Sequence, residues 1–184
     1  VNGPADVDAL AGLVSDRPIC AMMETPEGIL NAPSIAKHPR IAGFVLGTND
    51  LAKDLNSRSR GALMTSLQLC VLAAKAAGIV VLDGVYNAFK DEDGLQLECA
   101  EGRDMGFDGK TLIHPAQVAT TNANFGPTEE EIDLAHRQIE AFETAEAAGQ
   151  GVAVVDGRIV ENLHIVTARA TLAKAAAIAS LETP

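Results

Sequence analysis

Aromatic residues are scarce in this chain of 184 residues. It has no tryptophan and one tyrosine, and aromatics make up 3% of the sequence against 47% for hydrophobic residues as a whole. Alanine, valine, leucine and isoleucine must therefore form the core. This composition suits helices that cover a parallel sheet, whose strands are typically buried on both faces. The length is sufficient for one domain with a hydrophobic core of its own.

Basic residues are also few, and long hydrophobic runs are missing. The chain has 14 lysines and arginines against 25 aspartates and glutamates, a formal net charge of −11. Such a surface repels nucleic acid and anionic membranes, although it allows a local basic pocket for an anionic substrate. No apolar segment approaches the ~20 residues of a membrane span, and no signal peptide is recognisable. We therefore expect a cytoplasmic protein with neither nucleic-acid nor membrane partners.

Cysteines are few as well, and their spacing suits neither a metal site nor a disulfide. Cys20, Cys70 and Cys99 have apolar neighbours, which favours small buried thiols in a reducing compartment.

The chain begins at Val1 rather than at methionine. We therefore expect it to be a fragment of a longer protein.

Short apolar runs alternate with amphipathic segments up to about residue 125. The patterns predict strands at 18–24, 42–47, 79–82 and 109–113, and helices at 4–14, 27–37, 59–77 and 91–105. Alternating strands and helices indicate parallel strands joined by right-handed crossovers. Four such units fit either half of an eightfold barrel or a small open sheet.

The pattern changes after Phe125. Thr128 and Glu131 have the spacing of a capping box at the start of a helix that reaches about residue 148. Asp156-Gly157 between apolar pairs is typical of a two-residue hairpin turn within residues 152–160. A last, alanine-rich helix follows. We interpret residues 126–184 as an appended lid or oligomerisation arm.

Two acidic residues end successive predicted strands. Glu24 closes the first apolar run, and Asp50 follows the second. The carboxyl ends of parallel strands are where α/β proteins bind ligands, and neighbouring strands lie ~4.8 Å apart. Two carboxylates so placed can hold Mg²⁺, which often uses one or two protein carboxylates. Helix N-capping is the alternative for each acid taken singly.

Other residues at the strand ends are candidates for substrate binding. The backbone N–H groups of Thr48 and Asn49, and those around Gly28, are placed to bind a carboxylate at helix N-termini, or they serve ordinary turns. Gly84 and Tyr86 end the third strand on the same side. For the remaining candidates a structural role explains the residue as well as a functional role does, or better. They are Asp83, His114, Lys110, Arg103 and Arg158.

Five motifs, taken together and in this order, resemble one known family. They are Met-Met-Glu-Thr-Pro-Glu-Gly-Ile-Leu-Asn at 22–31, Gly-Thr-Asn-Asp-Leu-Ala at 47–52, Asp-Gly-Val-Tyr at 83–86, the segment 102–115 ending in Ile-His-Pro, and Val-Asp-Gly-Arg-Ile-Val-Glu-Asn at 155–162. The chain resembles the citrate lyase beta-subunit-like proteins of the HpcH/HpaI aldolase superfamily, a group that includes malyl-CoA, methylmalyl-CoA and citramalyl-CoA lyases.

The resemblance implies a fold. It implies an α/β chain that forms the C-terminal half, strands 5–8, of a TIM (β/α)8 barrel, with a C-terminal helical extension. Residues 1–125 would be the half barrel, and residues 126–184 the lid or oligomerisation extension with its hairpin near 152–160. The arginine that binds substrate on an early strand of the family has no counterpart here. We expect the fragment to be inactive alone and not independently stable.

The resemblance also implies a chemistry. Glu24 and Asp50 match the metal ligands of the family, which bind Mg²⁺, with Mn²⁺ as a substitute. The first expectation is a lyase that cleaves a 3-hydroxyacyl-CoA into an acyl-CoA and a 2-oxo acid by reversible Claisen-type chemistry. The alternatives are a malyl-CoA thioesterase, a citryl-carrier-protein lyase beta subunit, or a catalytically silent subunit.

Asp156 is the candidate acid–base residue by the same resemblance. In lyases of this group the matching aspartate reaches over the active site of a neighbouring subunit. This implies a homo-oligomer, a trimer or hexamer, whose C-terminal arm lies on a neighbour. The alternative is that Asp-Gly is simply good hairpin chemistry, and a tight turn at the tip of an arm allows both roles.

Overall fold

Four parallel strands form the main sheet, in the order β1-β2-β3-β4. They are Ile19–Met23, Ile41–Leu46, Val80–Asp83 and Gly109–Lys110. The structure, a computed structural model, describes residues 1–182. Met23 pairs with Leu46 in the register of β1 and β2. The carboxyl ends of these strands therefore lie at one edge of the sheet.

Seven α-helices accompany this sheet in the segment Val1–Phe125, the first of two compact units. They are α1 Pro4–Ala11, α2 Pro26–Leu30, α3 Ala32–Ala36, α4 Thr48–Asp54, α5 Met64–Ala77, α6 Glu92–Met105 and α7 Val118–Phe125. Two 3₁₀ turns, Arg60–Leu63 and Pro115–Gln117, precede α5 and α7. The sequence prediction of alternating strands and helices is confirmed.

Several boundaries differ from the prediction for local reasons. The helix expected at 27–37 is two short helices that meet at Asn31, near Pro33. The strand expected at 109–113 pairs over only two residues. Helix α4 is too short at seven residues for a periodic pattern to show.

The sheet is covered on one face. Met23, Phe44 and Val81 are fully buried on that face, where α3 and α5 pack through Ile35 and Leu67. When successive parallel strands are added in one direction by right-handed crossovers, the connecting helices all lie on the same face of the sheet. On the other face Cys20, Met22 and Val80 are exposed, Val80 by 49%. The expectations of strands buried on both faces and of a buried Cys20 are therefore wrong for this chain, whereas Cys70 and Cys99 are buried.

The second compact unit, Gly126–Pro184, contains two helices and a hairpin. Helix α8 spans Glu129–Ala147, strands β5 and β6 span Ala153–Val155 and Arg158–Val160, and helix α9 spans Asn162–Glu182. The capping box of Thr128 and Glu131 is present, as predicted. Asp156 and Gly157 join the strands with φ values of 49° and 75°, which is the two-residue turn expected from Asp-Gly.

A small apolar cluster holds the second unit together. Ala145, Ala153, Val160 and Ile165 are its buried members. Ala153 and Val160 pair across the hairpin, so that the next pair, Val154 and Ile159, points to the opposite face. No helix within the described residues is long and apolar enough to cross a membrane.

Candidate functional site

The two predicted metal ligands follow adjacent parallel strands. Glu24 comes directly after β1, and Asp50 lies in the first turn of α4, which begins two residues after β2 ends. The Glu24 side chain lies against Gly47. A Cβ atom on Gly47 would come within 2.4 Å of the Glu24 Cβ and 2.7 Å of its Oε2. Only glycine therefore allows the Glu24 carboxylate to lie beside the start of α4.

Neither acid acts as a helix cap. The N-cap of α2 is Thr25, whose Oγ1 accepts a hydrogen bond from the Gly28 N–H at 3.1 Å. The N-cap of α4 is Gly47, and within the described residues no side chain caps that helix. Asp50 is exposed and Glu24 is partly exposed. The capping alternative for these two acids has no support in the structure.

The donor set of this pair suits a hard divalent cation. Two carboxylates at one edge of the sheet are oxygen ligands, and Mg²⁺ usually completes its octahedron with water and substrate oxygens. Across residues 1–182 no group of three or more histidine, cysteine, aspartate or glutamate side chains is placed to hold a metal ion. A closed protein cage such as a structural zinc site is therefore not formed by this part of the chain.

Gly28 has a packing role at the same edge of the sheet. A Cβ atom there would lie 2.3 Å from the Val1 carbonyl oxygen and 3.0 Å from Thr25 Oγ1. Its N–H already donates to that hydroxyl. In this structure the cap of α2 uses the Gly28 N–H, and the binding of a substrate carboxylate by this group stays a prediction.

Gly84 brings the end of β3 against the start of α4. A Cβ atom on Gly84 would lie 2.4 Å from Thr48 Oγ1 and 2.9 Å from the Leu46 carbonyl oxygen. Asn49 joins the same two loops, because its side-chain amide exchanges two hydrogen bonds with that of Asn87, at 3.2 and 2.7 Å. Gly84 therefore serves close approach, and the Asn49 amide is already partnered.

A cleft of about 410 Å³ opens beside these loops. Residues from the start of α4, from the segment before α5 and from the loop after β3 line it, among them Thr48, Asn49, Arg58, Arg60, Tyr86 and Asn87. The Tyr86 hydroxyl donates to Asp91 Oδ2 at 2.6 Å. That hydrogen bond is the main reason why the pKa of Tyr86 is raised to about 12. The cleft thus contains hydroxyl, amide and guanidinium groups, of which the Tyr86 hydroxyl and the Asn49 and Asn87 amides already have partners within the chain.

A buried cluster of charges lies at the end of β3, and sequence reasoning missed it. Asp83 is fully buried and accepts hydrogen bonds from Arg60 at 3.0 and 3.1 Å and from Lys110 at 2.9 Å. Lys110 also donates to Glu98 at 2.6 Å. Burial lowers the pKa of Arg60, but the hydrogen bonds and charges of Asp83, Glu101 and Glu98 together raise it overall. Lys110 is therefore neither solvated nor a ligand of CoA phosphates.

His114 has the structural role that sequence reasoning favoured. Its Nδ1 accepts a hydrogen bond from the Ala116 N–H at 3.1 Å at the start of a 3₁₀ turn. Its ring stacks on Phe89 with 4.6 Å between centroids. Both interactions fix the loop after β4.

Asp156 lies at the tip of the hairpin in the second unit, and its carboxylate has a partner there. Arg137 Nη1 donates to both carboxylate oxygens at 2.8 Å, and Arg137 Nε donates to Asp133 at 2.8 Å. Asp156 and then Asp133 raise the pKa of Arg137, so that it stays cationic. The predicted acid–base residue is therefore exposed on a turn and held by one guanidinium group.

A profile of the HpcH/HpaI aldolase/citrate lyase family matches residues 8–115, which include both acids and the buried cluster. The chain belongs to the HpcH/HpaI aldolase/citrate lyase family. The resemblance found from the motifs is thereby confirmed. Citrate lyase subunit beta of Escherichia coli K12, for example, is 35% identical over 161 residues, with 85% of this chain and 53% of that protein covered.

Another relative within this family has a different activity. The (3S)-malyl-CoA thioesterase of Cereibacter sphaeroides ATCC 17023 is 65% identical over 183 residues, or 98% of this chain and 64% of the relative. The chain thus spans 64% of the length of this thioesterase and 53% of that of the citrate lyase subunit, less than two thirds of either. The first expectation, a carbon–carbon lyase, is corrected by this finding, since thioesterases in other strains of the species match at 64% and 66% identity.

Solved structures of the family share this fold. Protein CitE from Mycobacterium tuberculosis, in complex with magnesium, acetoacetate and coenzyme A, has a TM-score of 0.74 and 26% sequence identity, and covers 94% of this chain and 73% of its own. RipC from Yersinia pestis has a TM-score of 0.69 and 32% identity over 72% of this chain and 63% of its own. Magnesium binding is therefore a property found within the family.

Proposed function

We propose that this chain is the main part of an enzyme that hydrolyses the thioester of a malyl-CoA type substrate. The observation that carries the proposal is the 65% identity to (3S)-malyl-CoA thioesterase over 98% of the chain. A thioester hydrolase needs a group to bind the substrate carboxylate and a base to activate water. The residues at the strand ends and on the hairpin are of the right types for both tasks.

We propose Glu24 and Asp50 as ligands of Mg²⁺, with Mn²⁺ able to replace it. Both are oxygen donors at one edge of the sheet, and neither is used as a cap. When bound, the cation would supply a positive charge that orients the carboxylate and hydroxyl oxygens of the substrate. Gly47 keeps Glu24 close to the start of α4 by leaving room for its side chain.

Thr48 and Asn49 are proposed to contact the substrate beside these acids. Both line the cleft at the end of β2, where a backbone N–H at the start of α4 can donate to an anion. Gly84 acts indirectly, because the absence of a side chain lets Thr48 approach the end of β3. The cleft offers the polar surface that a CoA thioester with a free carboxylate would need.

Asp156 is proposed as the base. Its carboxylate takes a proton from a water molecule while the water oxygen bonds to the thioester carbonyl carbon. The tetrahedral adduct then breaks its carbon–sulfur bond and releases the CoA thiolate, which is protonated. The products are malate and free CoA, with one water consumed. The exposed position of Asp156 on a tight turn is suited to a side chain that enters another copy's site.

We further propose that β1–β4 are strands 5–8 of a TIM barrel and that residues 126–184 form an oligomerisation arm. Two observations support this arrangement. The uncovered face of the sheet carries Cys20, Met22 and Val80, as the inner face of a barrel would. The arm exposes a second set of apolar side chains, Val152, Val154, Ile159, Leu163 and Val166.

Burial of that apolar set against another copy would remove it from water. We propose a homo-oligomer, a trimer or hexamer, in which Asp156 of one subunit serves the site of the next.

We also propose a cytoplasmic location, because the thiols of Cys70 and Cys99 are buried and form no disulfide in the described structure. Burial raises the pKa of Cys70 to about 12, which keeps it a thiol.

Product analysis tests the proposed activity. The complete protein is incubated with (3S)-malyl-CoA and Mg²⁺, free thiol is followed with a thiol reagent, and the products are separated. We expect CoA and malate in equal amounts. Acetyl-CoA and glyoxylate in place of malate would overturn the proposal, and so would the absence of any turnover with Mg²⁺ and Mn²⁺ both supplied.

A further inference from the structure

The guanidinium group of Arg137 is the only cation within hydrogen-bonding distance of Asp156 in the described part of the chain. One nitrogen, Nη1, contacts both carboxylate oxygens at 2.8 Å. Because a single donor straddles the two oxygens, each oxygen keeps a lone pair for another partner. The contact thus orients the carboxylate and leaves each oxygen able to accept a further hydrogen bond.

Arg137 is itself fixed in place. It lies on α8, and its Nε donates to Asp133 one turn earlier on the same helix at 2.8 Å. Asp133, Arg137 and Asp156 therefore form a chain of charged groups that leads from a 19-residue helix to the tip of the hairpin. The Asp156 backbone is held as well, since its φ of 49° belongs to the two-residue turn.

We propose that Arg137 is a positioning residue for Asp156: it holds the carboxylate of the proposed base in one orientation on the hairpin tip. Because Arg137 acts through Asp156, this proposal rests on the proposed function. A small displacement of a catalytic group lowers the rate strongly, by as much as ~100-fold for ~1 Å. Arg137 and Asp156 are far apart in sequence, so that only the folded hairpin and helix together show the pair.

The test compares Arg137→Gln, Arg137→Lys and Asp156→Asn in the complete protein, with thioester hydrolysis as the assay. We expect Arg137→Gln to lower kcat about 10- to 100-fold with little change in KM. Arg137→Lys keeps the positive charge and should recover part of that loss, although it lacks the planar fork. Arg169→Gln is the control, because Arg169 also lies on a helix of the same unit and pairs with an acid, Glu143, at 3.5 Å; its side chain is 66% exposed, against 43% for Arg137.

A double substitution separates positioning from a general structural role. If Arg137 acts through Asp156, then Arg137→Gln adds no further loss of rate to Asp156→Asn. Equal losses in the Gln and Lys variants together with a lower melting temperature would show a structural role and overturn the proposal, as would full activity of Arg137→Gln. Full activity of Asp156→Asn would instead overturn the catalytic role of Asp156. If Asp156→Asn is inactive while Arg137→Gln has the activity of the parent, only the role of Arg137 is overturned.

Discussion

Two glycines allow the side chains of the candidate site to come together. Gly47 lies against Glu24, and Gly84 lies against Thr48. At both positions a Cβ atom would come within 2.4 Å of a side-chain atom of the neighbouring strand end. The sequence shows these glycines as parts of motifs, but their role in close approach is visible only from the neighbouring atoms.

Replacement of Gly84 by alanine should therefore destabilise the protein. The new methyl group would meet Thr48 Oγ1 and the Leu46 carbonyl oxygen, and overpacking of this kind costs about 1–3 kcal/mol. Urea denaturation measures the loss. Gly61→Ala is the control, because the nearest atom to its Cβ is Ser59 Oγ at 3.9 Å, and its effect should stay within about 0.5 kcal/mol. Equal stability of Gly84→Ala and the parent would contradict the close contact.

Glu24→Gln and Asp50→Asn test the proposed metal ligands without reference to activity. Each removes one of two charged oxygen ligands, so we expect Mg²⁺ affinity in calorimetric titration to fall at least about 10-fold. Asp54→Asn is a matched control, since Asp54 is exposed at the other end of the same helix α4. If all three variants bind Mg²⁺ like the parent, the two acids are not ligands.

The only tyrosine of the chain reports on the loop after β3. Because the sequence has one tyrosine and no tryptophan, the ultraviolet absorbance of phenolate follows Tyr86 alone. The hydrogen bond to Asp91 raises the pKa of Tyr86 from 10.0 to about 12. The stabilisation from this bond is therefore present below pH 10 and is lost as the pH rises through about 12.

Asp91→Asn should return the phenol transition toward pH 10 while keeping the helix N-cap, because asparagine caps as well as aspartate. Asp93→Asn, which alters a nearby acid in the first turn of α6, should leave the transition unchanged. A parent transition near pH 10 would show that the Tyr86–Asp91 bond does not form in solution.

At the scale of secondary-structure elements, charged residues from three segments meet at the end of β3. Arg60, from the turn before α5, and Lys110, from β4, both contact Asp83. Glu98, from α6, contacts each of these two cations in turn. Their positions in the sequence give no sign of this pairing. The cluster joins the wall of the cleft to the sheet, because Arg60 and Glu98 also line the cleft.

Lys110→Met should destabilise the protein strongly, by about 3–5 kcal/mol, because it removes one partner of a buried ion pair. Both the Lys110 and Asp83 side chains have 0% exposure. Lys75→Met is the control, since the Lys75 pair with Asp108 is 44% and 38% exposed and such surface pairs contribute less than about 1 kcal/mol. Similar unfolding midpoints in urea for the two variants would contradict a buried pair at Lys110.

At the scale of the whole molecule, the second unit has too small a core to cover its own apolar side chains. Four residues form the buried cluster of that unit, whereas Val154 and Ile159 are each exposed by 59% on the other side of the hairpin. Exposed apolar sets of this kind mark interaction surfaces. The exposed apolar surface therefore bears on how subunits associate rather than on the fold of any single element.

The double variant Val154→Thr, Ile159→Thr should weaken assembly. Threonine keeps the preference for strand structure but removes apolar surface, so that sedimentation should show smaller species than the trimer or hexamer proposed for the parent. Arg158→Thr, which alters another exposed residue of strand β6, should leave the assembly intact. An unchanged sedimentation profile of the double variant would exclude this face as the contact.

The sequence by itself determined what depends on neighbours in the chain. The order of strands and helices, the capping box at Thr128 and the Asp156-Gly157 turn all follow from local patterns, and the motifs identified the family. Only the tertiary structure decided which groups meet: the Asp83 cluster, the Arg137–Asp156 pair and the exposure of Cys20. These contacts join residues far apart in sequence, and no periodicity encodes them. The strand-end acids also left the reaction open, because a cation held by two carboxylates can serve either carbon–carbon cleavage or thioester hydrolysis.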